Sequence, residues 1–253
     1  MLAIEFPPIS HLLNWPAFWM KDSTFFAVNK VAILFVIAAI AVAVFYMVAG
    51  SKKQLVPTGV QNIAESAIDF VRTGIVLETA GPDALAYMPL LMTLFSFIFA
   101  LNLFEIIPIA QMPPNARMAL PMFMALLVWV VYNGIGIAKQ GPLHYFKGIA
   151  FPPGVPKPIY LLVTPIEIVS VLIVRPLSLA VRLFANMLAG HLILVSFAIL
   201  SEALFKATIV GVIAPFPMLV ALTGFELLVA FLQAYIFTIL ASVYIGGALH
   251  PDH

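Results

Sequence analysis

Hydrophobic residues form long uninterrupted runs along the chain, and short polar or proline-rich stretches separate these runs. The first run extends from about residue 26 to residue 49 and is followed by Gly50, Ser51 and two lysines. A hydrocarbon core of about 30 Å needs roughly 20 apolar residues in a helix, so this run predicts one membrane span. The basic residues that follow it are typical of a cytoplasmic flank.

Residues 56–78 have a different pattern, in which apolar residues recur at three- and four-residue spacing. This spacing predicts an amphipathic helix. The apolar positions are Val60, Ile63, Ala67, Val71 and Ile75, whereas Gln61, Glu65, Asp69 and Arg72 fall on other faces. We predict that the helix lies along the membrane surface or packs on a neighbouring helix. A helix of soluble type within a loop is the alternative interpretation.

Four more apolar segments follow in the sequence. Residues 87–138 contain two spans joined by a proline-rich turn, and residues 139–158 form a polar loop whose lysines indicate the cytoplasm. Residues 159–249 contain two runs of about 40 residues, each about 60 Å long as a helix. Because this length is about twice the thickness of the bilayer core, we predict that both helices tilt strongly, kink or break. The candidate positions for kinks are Pro165, Pro176, Pro215 and Pro217.

Composition supports a membrane protein, since 63% of the residues are hydrophobic and only 9% are charged. A soluble domain has about 25% charged residues. We therefore predict one all-α integral membrane domain: an N-terminal transmembrane helix, an amphipathic surface helix, and four membrane helices of which the last two are long and strongly tilted. A small excess of basic residues in the predicted cytoplasmic segments places the N-terminus, with residues 1–25, outside and the C-terminus in the cytoplasm.

Several classes of function are not expected from this sequence. The chain has no cysteine, so disulfides, thiol chemistry and cysteine-based metal sites are excluded. No metal-ligand spacing, phosphate loop or nucleophile elbow is present, and we expect neither a metal nor a cofactor. Lys52 and Lys53 form the only basic cluster, so we do not expect nucleic acid as a partner. The first lysine is Lys21, which argues against a secretory signal peptide, and we expect the mature chain to begin near Met1.

Ionisable residues inside apolar segments are costly and are functional hypotheses by default. They are Glu105, Glu167, Arg175, Arg182, His191 and Glu226. Arg182 is the most costly of them, because it lies near the middle of a long segment and a guanidinium group stays protonated in proteins. It therefore needs a carboxylate or a water-filled cavity.

The residues that share a helix face with Arg182 are small or polar: Ser178, Asn186 and Ala189. Gly190 lies beside this face. Small residues allow another helix to approach closely, so the partner of Arg182 could belong to another subunit. A carboxylate within this chain is the alternative partner. Arg175 precedes Pro176 and is as compatible with structural anchoring as with function.

Three other positions suggest a path for protons. Glu226 and Gln233 lie seven residues apart and share a face of the last helix. A carboxyl group and the imidazole of His191 could share a proton if they lie close together, although a lone histidine could equally be a core residue. Glu105, with Asn102 beside it, could form a channel mouth or be an interfacial residue.

Several stretches resemble subunit a of F-type ATP synthases. The stretch Arg182-Leu-Phe-Ala-Asn-Met-Leu-Ala-Gly-His191 is similar to the signature of that family, and Phe225-Glu226 through Gln233 is similar to its terminal motif. The stretch from Asn102 to Pro108 resembles its third-helix motif, and that from Gln61 to Glu65 resembles its amphipathic helix. The similarity covers most of the chain in the order of the family, apart from the first ~25 residues and the loop 139–158.

The resemblance implies a stator subunit without catalytic chemistry of its own, in which two offset aqueous half-channels open onto a rotating ring of c subunits. Arg182 corresponds to the essential arginine between the half-channels. Asn186, His191, Glu226, Gln233, Asn102 and Glu105 correspond to the inlet half-channel, and Glu167 is a candidate for the outlet side.

The implied partners are the c-ring, b-type peripheral stalk subunits, membrane lipid and, indirectly, the soluble ATPase head. The implied location is the bacterial cell membrane. Some family members have an acid at position 191 and a histidine at position 226. The exchanged order found here, similar to that of actinobacterial and some mitochondrial forms, predicts that the two residues are close.

Two functions from other classes remain as alternatives. A self-contained proton-coupled secondary transporter would usually have paired repeats around a midplane site, and the sequence has no internal repeat. A purely structural anchor would not explain Arg182, His191 and Glu226 within apolar helices.

Overall fold

A computed structural model describes residues 30–51, 54–107, 114–151, 159–207 and 215–249. These residues are almost entirely helical and contain no β-strand. The α-helices are α1 (Lys30–Ser51), α2 (Val60–Val71), α3 (Met88–Leu103), α4 (Ala119–Gln140), α5 (Pro142–Ala150), α6 (Tyr160–Val169), α7 (Arg175–Ala207) and α8 (Pro215–Leu249). The predicted all-α class is therefore confirmed.

Four short helical turns connect these elements. Two are 3₁₀ turns, at Pro82–Tyr87 before α3 and at Pro114–Ala116 before α4. Two are π-helical, with one more residue per turn than usual, at Arg72–Leu77 after α2 and at Ser170–Val174 between α6 and α7. The second π-helical turn ends immediately before Arg175. Pro176 follows it, and this proline is one of the two that predicted a kink in the first of the two long apolar runs.

Five helical segments in the described chain are long and apolar enough to cross a membrane. They are Lys30–Ser51, Pro82–Leu103, Ala119–Gln140, Tyr160–Phe205 and Pro215–Leu249. The last two contain 46 and 35 residues, so they are longer than the roughly 20 residues that one upright crossing needs. The five predicted membrane helices are present, and the strong tilt of the last two stays a prediction.

The chain forms two compact units. The first takes its described residues from Met1–Val44, Phe97–Arg117 and Leu183–Ala234. The second takes them from Phe45–Ser96, Met118–Arg182 and Tyr235–His253. The single membrane domain predicted from the sequence stays a prediction.

Aromatic contacts and small residues hold the first unit together. The rings of Phe35 and Phe97 meet edge to face with centroids 5.0 Å apart, and those of Phe99 and Phe231 lie 6.1 Å apart. These spacings are favourable for aromatic pairs. The most completely buried side chains of α7 and α8 in this unit are Leu183, Met187, Ala230 and Ala234.

In the second unit, polar contacts join helices that are distant in sequence. Thr79 donates a hydrogen bond to Ser242 at 2.7 Å. One helical turn further along α8, Gly246 packs against Ala80 so closely that an added Cβ would lie 2.9 Å from the Ala80 Cα. The short side chains let these two backbones approach.

Two parts of this unit differ from the pattern read in the sequence. The predicted loop 139–158 contains helix α5, whose Pro142 occupies the first turn, where its missing N–H has no cost. The apolar stripe of residues 56–78 is also divided: Val71 and Ile75 are buried, but Val60 and Ile63 are exposed. Val60, Ile63 and Val71 all precede the π-helical turn, so the stripe is already divided within α2.

Some predictions concern residues outside the described chain. These are the N-terminal segment 1–25, the lysines at 52 and 53, the prolines at 108 and 113, and residues 152–158 of the predicted loop.

Candidate functional site

Arg182 lies within α7, in the membrane-crossing segment Tyr160–Phe205. The helix has one packed face, formed by Leu179, Leu183 and Met187, each exposed by no more than 2%. The other side is open: Ser178, Arg182, Ala185, Asn186 and Ala189 are exposed, and so are the neighbouring Leu177 and Val181. The structure therefore places Arg182 on an open face of small and polar residues, as the helical wheel predicted.

No carboxylate pairs with Arg182 among the residues that the structure describes. A permanent charge in a membrane helix needs a negative partner or water. The alternative of an ion pair within the chain thus has no support from the described residues. The exposed position leaves the guanidinium accessible to a group from another protein.

Asn186, one helical turn after Arg182, is joined to the last helix. Its side-chain amide donates a hydrogen bond to Oε1 of Gln233 at 2.7 Å. Asn186 is exposed, whereas Gln233 is only 2% exposed. These two predicted site residues therefore form one polar connection from the open face into the interior of the first unit.

Glu226 lies on the same face of α8 as Gln233, and it is buried. Its carboxyl group fills the space beside Gly190, so that an added Cβ at Gly190 would collide with Glu226 Oε1. This Oε1 atom has no hydrogen-bond partner among the described residues. The glycine thus makes the room that the carboxyl group occupies.

His191 is buried and directly follows Gly190. The described residues provide no hydrogen bond between His191 and Glu226. The structure therefore places the Glu226 carboxyl group of α8 against Gly190, the residue before His191, without a hydrogen bond to the imidazole.

A second polar cluster lies where α3 ends. Asn102 is fully buried and donates to the backbone carbonyl of Ala230 at 3.3 Å. It also accepts a hydrogen bond from Asn115 at 2.7 Å. Ala230 lies four residues after Glu226 on α8, so Asn102 reaches the helix face that carries the buried carboxyl group.

Glu105 is 5% exposed, and neither of its carboxyl oxygens has a partner among the described residues. Burial raises the pKa of Glu105 to about 8, and the negative charge of Glu226 adds to this effect. The physical cause is the loss of hydration, which disfavours the charged form of a carboxyl group. Glu105 therefore holds its proton more tightly than a hydrated carboxyl group does.

Asn115 is a member of this cluster that no sequence pattern indicates. This residue is fully buried in the 3₁₀ turn before α4. Asparagine in a proline-rich turn is usually explained by turn chemistry, so the sequence offered no reason to place it in a site. Only its contact with Asn102 identifies it.

Glu167 and Arg175 form an ion pair in the second unit, with Oε1 and Nη2 3.1 Å apart. The guanidinium carbon of Arg175 also lies 5.3 Å from the centre of the Tyr244 ring, which is a favourable cation–π distance. These contacts favour the anchoring interpretation of Arg175. They also place Glu167 in a pair with a permanent cation.

Comparisons with known proteins identify the family of the chain. A family model described as ATP synthase A chain matches residues 31–246. The chain is 44% identical over 228 residues to ATP synthase subunit a of Frankia alni, with 89% of this chain and 79% of that protein covered.

Two further relatives are also named ATP synthase subunit a, and their matches cover at least as large a share of this chain and of their own length as the Frankia match does. That of Rhodococcus erythropolis is 41% identical over 90% of this chain and 84% of its own length. That of a Nocardioides species is 38% identical over 98% of this chain and 94% of its own length. This multi-pass membrane protein therefore belongs to the ATP synthase subunit a family, the proton-translocating subunits of F-type ATP synthase.

Proposed function

We propose that this chain is the stator subunit that carries protons to and from a ring of c subunits through two offset aqueous half-channels, with Arg182 between them. One observation carries the proposal: Arg182 is exposed on a small-residue face of a membrane helix and has no carboxylate partner among the described residues. The partner that suits this cation is a carboxylate on a ring helix, which the small residues allow to approach.

A permanent positive charge is suited to separating the two half-channels. It repels a proton that would pass directly between them, and it attracts each deprotonated ring carboxylate in turn. One charge that crosses 100 mV releases about 2.3 kcal/mol, so a direct leak would lose this energy without rotating the ring. Arginine serves this role better than lysine, because lysine can lose its proton when buried.

The inlet half-channel is proposed to follow the polar residues of the first unit. Asn102 and Glu105 lie at the end of α3, and Glu226 and Gln233 follow along α8. Asn186 then connects Gln233 to the open face of α7, one turn from Arg182. His191 is proposed as a further proton-binding group beside Glu226. The buried hydrogen bond of Asn115 to Asn102 adds Asn115 to this set.

Glu167 is proposed for the outlet side. Its ion pair with Arg175 keeps its carboxylate within the second unit, where it can exchange protons with water that reaches this side.

The remaining features of the proposal follow from the family. The chain performs no bond chemistry and acts through the c-ring, the b-type peripheral stalk and, indirectly, the soluble ATPase head. It resides in the bacterial cell membrane with its N-terminus outside and its C-terminus in the cytoplasm.

The decisive experiment replaces Arg182 by alanine in the complete complex, reconstituted into liposomes. We expect normal assembly with the ring and head, loss of proton-driven ATP synthesis, and increased passive proton leak. Arg72→Ala is the matched control, because Arg72 is an exposed arginine of the π-helical turn after α2. Normal synthesis in Arg182→Ala would refute the proposal, and proton transport by the isolated chain without a ring would favour a self-contained transporter.

A further inference from the structure

We infer that Trp129 and Tyr132 set the rotation of α7, and thereby the direction of Arg182, by binding a carbonyl group that the π-helical turn leaves without a backbone donor. This inference rests on the proposed role of Arg182. It assigns a positioning function to two aromatic residues of α4 that the proton path does not include.

The carbonyl group in question belongs to Val171, in the π-helical turn Ser170–Val174. The backbone N–H of Arg175 donates to the carbonyl of Ser170, five residues earlier. In an α-helix this N–H would donate to Val171 instead. The next donor of a continued π-helix would be residue 176, which is a proline and has no N–H. The Val171 carbonyl is therefore left without either backbone donor.

Two side chains of α4 replace the missing donor. Trp129 donates its indole N–H to the Val171 carbonyl at 3.1 Å, and Tyr132 donates its hydroxyl at 3.0 Å. The two residues are three positions apart, so they are neighbours on one face of α4. Tyr132 and Val171 are 2% and 3% exposed, so little water can reach the site, and an unpaired carbonyl would be costly there.

The contacts of Arg175 extend this restraint into α7. Arg175 lies four residues after Val171 and is held by Glu167 on one side and by the Tyr244 ring on another. Arg182 follows seven residues later, almost two full turns along the same helix. The orientation fixed at Arg175 is therefore passed to Arg182 by a rigid helix.

The π-helical turn determines which way the open face of α7 points. One residue more or fewer in a turn rotates the rest of the helix by about 100° and moves it by about 1.5 Å along its axis. If the turn reverted to α-helical bonding, Arg182 would rotate by this amount relative to α4. The two aromatic donors stabilise the π-helical form, because only in that form are both lone pairs of the Val171 carbonyl free to accept from them.

The test compares Trp129→Phe, Tyr132→Phe and the double variant in the complete complex. Each single variant removes one donor and keeps an aromatic ring, of the same size at position 132 and smaller at position 129, whereas the double variant removes both donors. The chain has no cysteine, so Leu126→Cys on α4 and Val181→Cys on α7 give two specific sites for spin labels in a complex whose other subunits are also free of reactive cysteine. Both positions are exposed, at 45% and 43%. The distance between the labels then reports the rotation of α7 independently of activity.

We expect the single variants to broaden the distance distribution and the double variant to move its main peak. Displacement of a functional group by about 1 Å can reduce a rate by a factor on the order of 100, so ATP synthesis should fall at least tenfold in the double variant. Tyr145→Phe is the matched control: it removes a buried tyrosine hydroxyl bonded to Asn133, not to Val171, and should keep the original distances.

An unchanged distribution in an assembled double variant would overturn the inference, whatever the rate of synthesis. If the double variant does not assemble, the two single variants serve as the test. Distance distributions equal to that of the wild-type protein in both of them would overturn the inference. Failure of the proposed function has a different signature. In that case Arg182→Ala would keep normal ATP synthesis, while the double variant would still show the altered distance.

Discussion

The carboxyl group of Glu226 lies against Gly190, in space that any other residue would fill with its Cβ atom. Gly190 directly precedes His191, and Glu226 shares a face of α8 with Gln233. The contact therefore places a proton-binding group of α8 beside the backbone of α7, within the first unit.

Replacing Gly190 by alanine should displace the Glu226 carboxyl group and slow proton flux. The added Cβ would collide with Oε1 of Glu226, which is the end of a flexible side chain, so we expect the carboxyl group to move while the helices stay in place. Passive proton flux through the membrane sector, measured after removal of the soluble head, should fall several-fold. Gly190→Ala combined with Glu226→Asp should recover part of the flux, because the shorter side chain restores the space.

The control for this prediction is Gly224→Ala. Gly224 lies in the same helix as Glu226, and an added Cβ there would meet nothing within 4 Å. It should leave flux unchanged. Equal flux in Gly190→Ala and the wild-type protein would remove the Gly190–Glu226 contact from the proton path.

The hydrogen bond between Asn186 and Gln233 should couple the effects of mutations at the two positions. A hydrogen bond of this type contributes about 0.5–1.5 kcal/mol net, so a double-mutant cycle with alanine at both positions should give a coupling energy of this size. The measured quantity is the rate of proton-driven ATP synthesis in each of the four complexes. Strictly additive effects would show that the two amides act independently.

The open face around Arg182 could be predicted from the sequence, because helical periodicity alone places Ser178, Asn186 and Ala189 beside it. The five membrane helices followed equally from the lengths of the apolar runs. These features depend on local geometry, which a sequence specifies directly.

Features that depend on two distant segments could not be predicted in this way. Pro176 indicated a kink, but the π-helical form involves donors from Trp129 and Tyr132 on another helix. Asn115 acquires its place only through Asn102. The proximity of His191 and Glu226 was inferred from a family pattern, and only the structure shows that the Glu226 carboxyl group lies on Gly190 instead of bonding to the imidazole.

Glu105 should make the stability of the protein depend on pH. Its pKa is raised to about 8 by burial, with a contribution from the charge of Glu226, whereas the ordinary value is about 4.3. Between these values the folded state binds more protons than the unfolded state, so stability falls as pH rises. Glu105→Gln removes this titration.

The measurement is thermal unfolding of the wild-type protein and Glu105→Gln in detergent from pH 5 to pH 9. The Tm of the wild-type protein should decline relative to that of the variant as pH rises towards 8, and the difference should level off above that value. A constant difference across the range would show that Glu105 does not titrate with a raised pKa.

The ion pair of Glu167 and Arg175 should contribute modestly to stability, and more through Arg175 than through Glu167. About one third of each side chain is exposed, at 34% and 32%, and exposed pairs contribute only about 0–1 kcal/mol. Arg175 additionally contacts the Tyr244 ring, which adds about 0.5–1 kcal/mol. Arg175→Met should therefore lower the free energy of unfolding more than Glu167→Gln does.

The two contributions can be separated with Tyr244→Leu, which removes the ring and keeps the ion pair. In that background, Arg175→Met and Glu167→Gln should become nearly equivalent, because only the ion pair remains to be lost. Unfolding by denaturant in mixed micelles gives the free energies of unfolding of Arg175→Met and Glu167→Gln, each with and without Tyr244→Leu. If Arg175→Met stays more harmful without the ring, another contact of Arg175 must hold the start of α7, and its restraint on Arg182 would not depend on Tyr244.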